Sequence, residues 1–228
     1  MAIYTIPVTY SIWFIDKFSP FSKLKVHIAQ SWVQPWLWAS RAKTIVTHSK
    51  EYDRNKSYVV ISNHLSNLDN LLLFRYLKIS WVFMAKKEVY KLPIFRTAAK
   101  AFNFIKVDRA NRNDMKSIAE QAKRVFNNKW SIMIYPQGTR TDKNDSFVFK
   151  KGAFLIAAEH NIPILPVVIA GTSEIWPKNS TYMNGGNARI HTFEPIYVPN
   201  LSKKDTEEFI NNIQDMMHNK YLELLKAA

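Results

Sequence analysis

Tyr58-Val59-Val60-Ile61-Ser62-Asn63-His64-Leu65-Ser66-Asn67-Leu68-Asp69 is the stretch whose reading decides the fold. Its first five residues form an apolar run that reads as a buried strand, and Leu68 to Leu77 reads as a buried helix. His64 then stands at the exit of a strand, with Asp69 entering the next helix. Such a junction sets imidazole beside carboxylate. One ring nitrogen can take a hydroxyl proton while the acid holds the other, which is what a general base for hydroxyl activation requires. Ser66-x-x-Asp69 also fits a capping box, and that reading makes Asp69 an ordinary helix-start residue and His64 a loop residue.

Downstream, Ser131-Ile132-Met133-Ile134-Tyr135 is a second strand-like run, and it ends in Pro136-Gln137-Gly138-Thr139-Arg140. Gly138 permits a backbone conformation or close approach that a side chain would block. Thr139 offers a hydroxyl, and Arg140 offers a planar fork that matches phosphate or carboxylate. The plain alternative is a turn with an exposed arginine. It is weakened by scarcity, because the chain has only 5 Gly and Gly138, Gly152 and Gly171 all fall near this segment.

Working outward, further strands are expected near 81–85, 104–107, 164–169 and 188–193, with Asn184-Gly185-Gly186-Asn187 as a tight turn. Helical patterns lie between them. Asp114 to Asn127 carries an apolar stripe, Lys151 to His160 is short and apolar, and Phe209 to Leu225 forms a C-terminal amphipathic helix. Alternation of this kind predicts an α/β fold: one domain, a largely parallel, mixed central sheet, and flanking helices. Ligands in such sheets sit beyond the carboxyl ends of strands, so the loops bearing His64, Arg109 and Gln137 to Arg140 are expected to converge on one rim.

Residues 1–47 differ from the rest, and 48–228 are expected to form the catalytic domain. Trp13, Trp32, Trp36 and Trp38 lie in the first segment, with Tyr10, Phe14, Phe18 and Phe21 near helical spacing and Lys17, Lys23, Lys25, Arg41 and Lys43 flanking. Its apolar run before Asp16 is shorter than the about 20 residues a span needs, and no basic region precedes that run as in a signal peptide. A pair of amphipathic helices lying in a headgroup layer is the expectation; a helical pair packed on the domain's own core is the alternative.

The 228 residues carry a net charge of +14, which attracts phosphates of nucleic acid, anionic lipid, coenzyme A or an acidic carrier protein. No zinc knuckle, RNA-recognition pattern or acid-free basic helix supports nucleic acid. The chain has no Cys, which excludes a cysteine acyl-enzyme, and its 6 His lack metal-ligand spacing.

Four ordered blocks resemble the glycerophospholipid acyltransferase family, of which 1-acylglycerol-3-phosphate acyltransferases are typical. They are His64 to Asp69, matching its His-x4-Asp block; Phe104-Ile105-Lys106-Val107-Asp108-Arg109; Gln137 to Arg140, matching its Glu-Gly-Thr-Arg block; and Ile162-Pro163-Ile164-Leu165-Pro166-Val167. The segment Phe149 to Phe154 is similar too, and the likeness runs over roughly residues 56 to 180. Gln137 departs from it, since the family usually has Glu there; an amide keeps the hydrogen bonds but not the charge.

The resemblance implies transfer of a fatty acyl group from a thioester to the sn-2 hydroxyl of 1-acylglycerol-3-phosphate, giving phosphatidic acid. His64 is the expected base and Asp69 its partner. Arg109 and Arg140, with Gly138 and Thr139, would hold the acceptor's phosphate, and Gln137 would help hold the acceptor or orient the arginine. Lys86, Lys87, Lys150 and Lys151 are candidates for the donor's phosphates, or else solvated charges. No bound cofactor or metal is expected. The co-substrate would be acyl-CoA or an acyl carrier protein thioester, and the seat an anionic membrane surface facing the cytoplasm. Another lysophospholipid, such as lysophosphatidylglycerol, or glycerol-3-phosphate are the competing acceptors. A non-catalytic basic protein that binds lipid or nucleic acid is the competing class.

Overall fold

The computed structural model describes residues 2–91, 93–108, 114–142, 145–199 and 203–226. In chain order the helices and strands are α1 (Ala2–Phe18), α2 (Lys23–Ser40), β1 (Ala42–His48), β2 (Val59–Ser62), α3 (Leu68–Tyr76), β3 (Trp81–Lys86), α4 (Pro93–Ala101) and β4 (Ile105–Val107). There follow α5 (Asp114–Asn127), β5 (Ser131–Ile134), α6 (Gly152–His160), β6 (Ile164–Ala170), α7 (Thr172–Ile175), β7 (Gly186–Thr192) and α8 (Lys203–Lys226).

The strands form one 7-stranded sheet in the order β1-β7-β6-β2-β5-β3-β4. β6, β2, β5, β3 and β4 are mutually parallel, whereas β7 is antiparallel to β6 and parallel to β1. This is the mixed, largely parallel sheet that the alternating pattern predicts. The central strands are buried on both faces, and successive side chains serve opposite layers. Val59 and Ile61 of β2, with Ile132 and Ile134 of β5, join α5, α6 and α8 through Ile118, Phe154, Ile213 and Tyr221. Val60 and Met133 face the other way, onto Val33 and Leu37 of α2 and Leu68 and Leu72 of α3.

β1 was absent from the expected strands. The division placed at residue 47 falls inside it, and residues 42–48 belong to the sheet, paired with β7 from Ala42↔Gly186 to His48↔Thr192. Only Arg41, in the left-handed region at φ 50, separates α2 from β1. No Gly or Pro marks the junction, and half of this edge strand faces solvent, so the segment carries none of the usual strand punctuation.

The N-terminal helices use two faces. Thr9 and Ile12 of α1 and Ala29, Val33 and Leu37 of α2 are buried, the first against Ala101 and Phe102 at the end of α4. Tyr10, Trp13, Phe14 and Phe18 point outward, Phe18 with 77% of its surface exposed, and Trp38 of α2 is 81% exposed. The inner face is packed on the domain's own core, as the alternative expects, and the outer face leaves an exposed row of aromatic side chains. No described helix is long and apolar enough to cross a membrane.

Candidate active site

Because β2 to β6 run the same way, their carboxyl ends deliver His64, Lys86, Asp108, Tyr135 and Gly171 to one rim of the sheet. Asn63 locks the first of these loops. Its Nδ2 donates to the Ile169 carbonyl at 2.8 Å and its Oδ1 accepts the Ile169 N–H at 2.9 Å, fixing the residue before the histidine to β6.

His64 Nδ1 lies 2.9 Å from Asp69 Oδ2. The same oxygen accepts the backbone N–H groups of Leu65 and Ser66, each at 2.8 Å, and Oδ1 accepts from Thr172 Oγ1 at 2.6 Å. Ser66 Oγ in turn accepts the Leu68 N–H at 3.1 Å. Asp69 thus caps α3 and holds the imidazole at once, so the two readings of Ser66-x-x-Asp69 are complementary. A carboxylate oxygen is an acceptor, which makes Nδ1 the protonated ring nitrogen and leaves the Nε2 lone pair available. Nε2 has no hydrogen-bond partner among the described residues, and the side chain keeps 15% of its surface exposed, enough for a substrate hydroxyl to reach it.

Tyr135 completes the seat of the imidazole. Its ring stacks on His64 at 3.9 Å between centroids and 10° between planes, and its hydroxyl donates to Asn70 Oδ1 at 2.7 Å. Burial, followed by the nearby Asp69 carboxylate, pushes the Tyr135 phenol well above its ordinary pKa, so it stays a neutral donor. The sequence marked Tyr135 only as the end of a strand; no spacing rule ties it to His64.

The second loop folds over the first. Gln137 Oε1 accepts the His64 N–H at 2.9 Å, its Nε2 donates to Thr141 Oγ1 at 2.9 Å, and the Thr141 N–H donates to the His64 carbonyl at 3.0 Å. Gln137 is buried, and its amide is spent on joining the two loops. A carboxylate at this position could accept the same His64 N–H, while the hydroxyl of Thr141 would turn from acceptor to donor. That accounts physically for the exchange of Glu for Gln. Gly138 sits at φ 79, where only glycine is unstrained, and its N–H closes a turn onto the Tyr135 carbonyl at 2.9 Å.

Arg140 reaches Asn67 Oδ1 through Nη1 at 3.3 Å, and Lys178 Nζ donates to the Arg140 carbonyl at 3.3 Å. A cation that the sequence did not single out, Lys178, therefore stands beside the expected phosphate clamp. Thr139 is exposed in the same loop. Arg109 lies outside the described residues. Lys87 pairs with Asp108 at 2.8 Å, and exposed Lys86 ends β3 on the same rim. Lys150 and Lys151 are exposed at the start of α6, and the Lys150 N–H donates to the Pro136 carbonyl at 2.9 Å.

Thr172, which fixes the far oxygen of Asp69, also escaped the sequence reading. Its position depends on Gly171 at φ 83, where an added Cβ would meet the Asn187 carbonyl oxygen at 2.1 Å. A glycine directly before a threonine at a strand exit is the signal that was available.

A family model described as acyltransferase matches residues 43–170, more than half of the chain and the region holding both loops. The chain belongs to the acyltransferase family. It is 31% identical to a 1-acyl-sn-glycerol-3-phosphate acyltransferase of Cocos nucifera over 185 residues, 81% of this chain and 58% of that protein. It is 29% identical to the enzyme of that name from Borreliella burgdorferi, over 83% of this chain and 76% of the relative. With the human 1-acyl-sn-glycerol-3-phosphate acyltransferase beta it shares 28% over 74% of this chain and 61% of the relative. The chain thus spans under two thirds of the coconut and human relatives. The crystal structure of the 1-acyl-sn-glycerophosphate acyltransferase PlsC from Thermotoga maritima has the same fold, with TM-score 0.71, 22% identity and 98% and 97% of the two chains covered.

Proposed function

We propose that this acyltransferase-family chain moves a fatty acyl group from a thioester to the sn-2 hydroxyl of 1-acylglycerol-3-phosphate. The observation that carries the reading is the His64 Nδ1–Asp69 Oδ2 hydrogen bond, which leaves Nε2 free at an accessible rim. Nε2 takes the hydroxyl proton as the oxygen forms its bond to the thioester carbonyl carbon. The carbon–sulfur bond then breaks, and the imidazolium returns the proton to the departing thiolate. Asp69 stabilises the transient imidazolium without itself taking a proton. Attack is direct, because the chain has no Cys and none of its Ser sits in a nucleophile-elbow pattern.

Arg140, with Lys178 beside it, is assigned to the acceptor's phosphate, as is Arg109, which lies outside the described residues. The exposed Lys86, Lys150 and Lys151 on the same rim suit the phosphates of coenzyme A or the acidic surface of a carrier protein; Lys87, already paired with Asp108, suits them less. The outward aromatic face of α1 and Trp38 support a peripheral or monotopic seat on an anionic bilayer, which the proposal places on the cytoplasmic side.

A thioester-release assay across a panel of acceptors tests the reading. Release faster with 1-acylglycerol-3-phosphate than with lysophosphatidylglycerol or glycerol-3-phosphate is the expected result. Preference for either competitor would reassign the acceptor, and release with none would remove the reaction.

A further inference from the structure

A cationic cleft lies at the end of the sheet opposite His64. Phe104 and Trp130 stand at the amino ends of β4 and β5, whereas His64 follows the carboxyl end of β2, and these strands all run the same way. Two adjoining hollows of about 260 and 410 Å³ share Phe21 and Arg124 between the α1–α2 turn, α4, β4 and α5. Lys100, Lys106 and Arg124 line them. The Arg124 guanidinium lies 5.6 Å from the centre of the Phe21 ring and Lys106 Nζ 6.0 Å from that of Tyr90. Among the described residues, no carboxylate forms a salt bridge with any of these cations.

The neutral polar groups of the cleft are already committed to the fold. Asn103 Nδ2 donates to Asp16 Oδ1 at 2.9 Å and to the Pro20 carbonyl at 2.7 Å, Gln121 Oε1 accepts the Lys106 N–H at 3.1 Å, and the Tyr90 hydroxyl donates to the Phe104 carbonyl at 2.9 Å. What the cleft offers a ligand is therefore positive charge. Its walls are fixed. Buried Lys25 binds Asp16 at 2.6 Å, the Ala101 carbonyl at 2.6 Å and the Pro20 carbonyl, and Trp130 Nε1 donates to the Phe21 carbonyl at 3.1 Å. One side opens past Phe18, at the end of the outward aromatic face.

Three exposed cations lining one cleft without a carboxylate partner suit a phosphate group, and an apolar exit suits what an amphiphile carries behind it. We propose that this cleft binds the phosphate of an anionic phospholipid, between Lys100, Lys106 and Arg124, with the acyl chains leaving over Phe18 and Phe14. The proposal rests on the interfacial seat argued above, not on the reaction. It makes the cleft a second lipid site, separate from the acceptor's.

Co-sedimentation of the full chain with phosphatidylglycerol-doped phosphatidylcholine vesicles tests it. The variant Lys100→Gln/Lys106→Gln/Arg124→Gln is set against Arg41→Gln/Lys43→Gln/Lys50→Gln, which removes equal formal charge in and beside the far edge strand β1. At about five-fold per cation the cleft variant should lose on the order of 100-fold in vesicle affinity, and the control under about three-fold. Equal losses would reduce the cleft to part of a diffuse field and overturn the site, as would a wild-type chain that binds no vesicles. A parallel titration with glycerol 3-phosphate at constant ionic strength separates the sources. If only that binding falls in the cleft variant, the cations hold a free phosphate ester and the lipid assignment is wrong. The single variant Arg124→Gln, expected to lose about five-fold, gives the answer should the triple variant unfold. Thioester release from dispersed short-chain substrate should persist in every variant; its absence from the wild type would refute the reaction while leaving the vesicle comparison intact.

Discussion

Asp69 couples folding to chemistry through one carboxylate, since Oδ2 serves both the helix start and the imidazole while Oδ1 holds Thr172. Asp69→Asn keeps the shape but replaces an acceptor oxygen with a donor in a buried site. Stability should fall by about 1–3 kcal/mol, and turnover should fall with it because the Nδ1–H tautomer loses its charged partner. Denaturant unfolding and kcat measured on the same preparation check this. Lost stability with unchanged kcat would leave Asp69 as a helix cap alone. His191 offers a second residue-scale test. Burial, then Lys220, lowers its pKa to about 4, and its Nδ1 and Nε2 lie 2.8 Å from Thr47 Oγ1 and Ser49 Oγ respectively. The unfolded chain, with a pKa near 6.5, binds the proton first. Stability is therefore highest above about 6.5 and is lost as pH falls towards 4, by up to roughly 3 kcal/mol. The difference in unfolding free energy between wild type and His191→Gln should shrink across that window; a constant difference would contradict it. The contact of His64 with Asp69 and the positive φ of Gly138 were legible from the two motifs taken together and from the family resemblance. Tyr135 and Thr172 were not, because their contacts with His64 and Asp69 join loops about seventy and a hundred residues apart.

At the scale of elements, strand-like apolar runs located β2 to β7, short apolar stretches located α3 and α6, and one-sided helical stripes located α5 and α8. β1 and α4 escaped for different reasons. β1 lies at the sheet edge with no residue fully buried, and α4 is short at 9 residues, a length at which a one-sided pattern carries little signal. The α1–α2 pair needed the structure for a different purpose: sequence gave a face rich in aromatics, and only packing decides which of them turn outward. Phe14→Ser/Phe18→Ser should leave the melting temperature unchanged, because both rings are exposed. Each ring that enters the headgroup layer contributes about 1.5–3 kcal/mol, so vesicle affinity should fall more than tenfold, with the loss concentrated in the component that survives high salt. A lower melting temperature with unaltered vesicle binding would make these helices packing elements.

Over the whole molecule, the direction of the sheet organises everything else. Five parallel strands present their carboxyl ends together, which sets His64, the Gln137–Arg140 loop and Gly171 on one rim and leaves the cationic cleft at the other end. The net charge of +14 suits both ends, since a phosphate is proposed at each. His64 is proposed as the base that activates the acceptor hydroxyl. Thioester release by His64→Ala with 1-acylglycerol-3-phosphate, alongside thermal unfolding of the variant, measures this role. The predicted result is a native-like melting transition with turnover lower by about 10²–10⁴, the usual worth of a positioned general base. A folded His64→Ala variant turning over at the wild-type rate would contradict it.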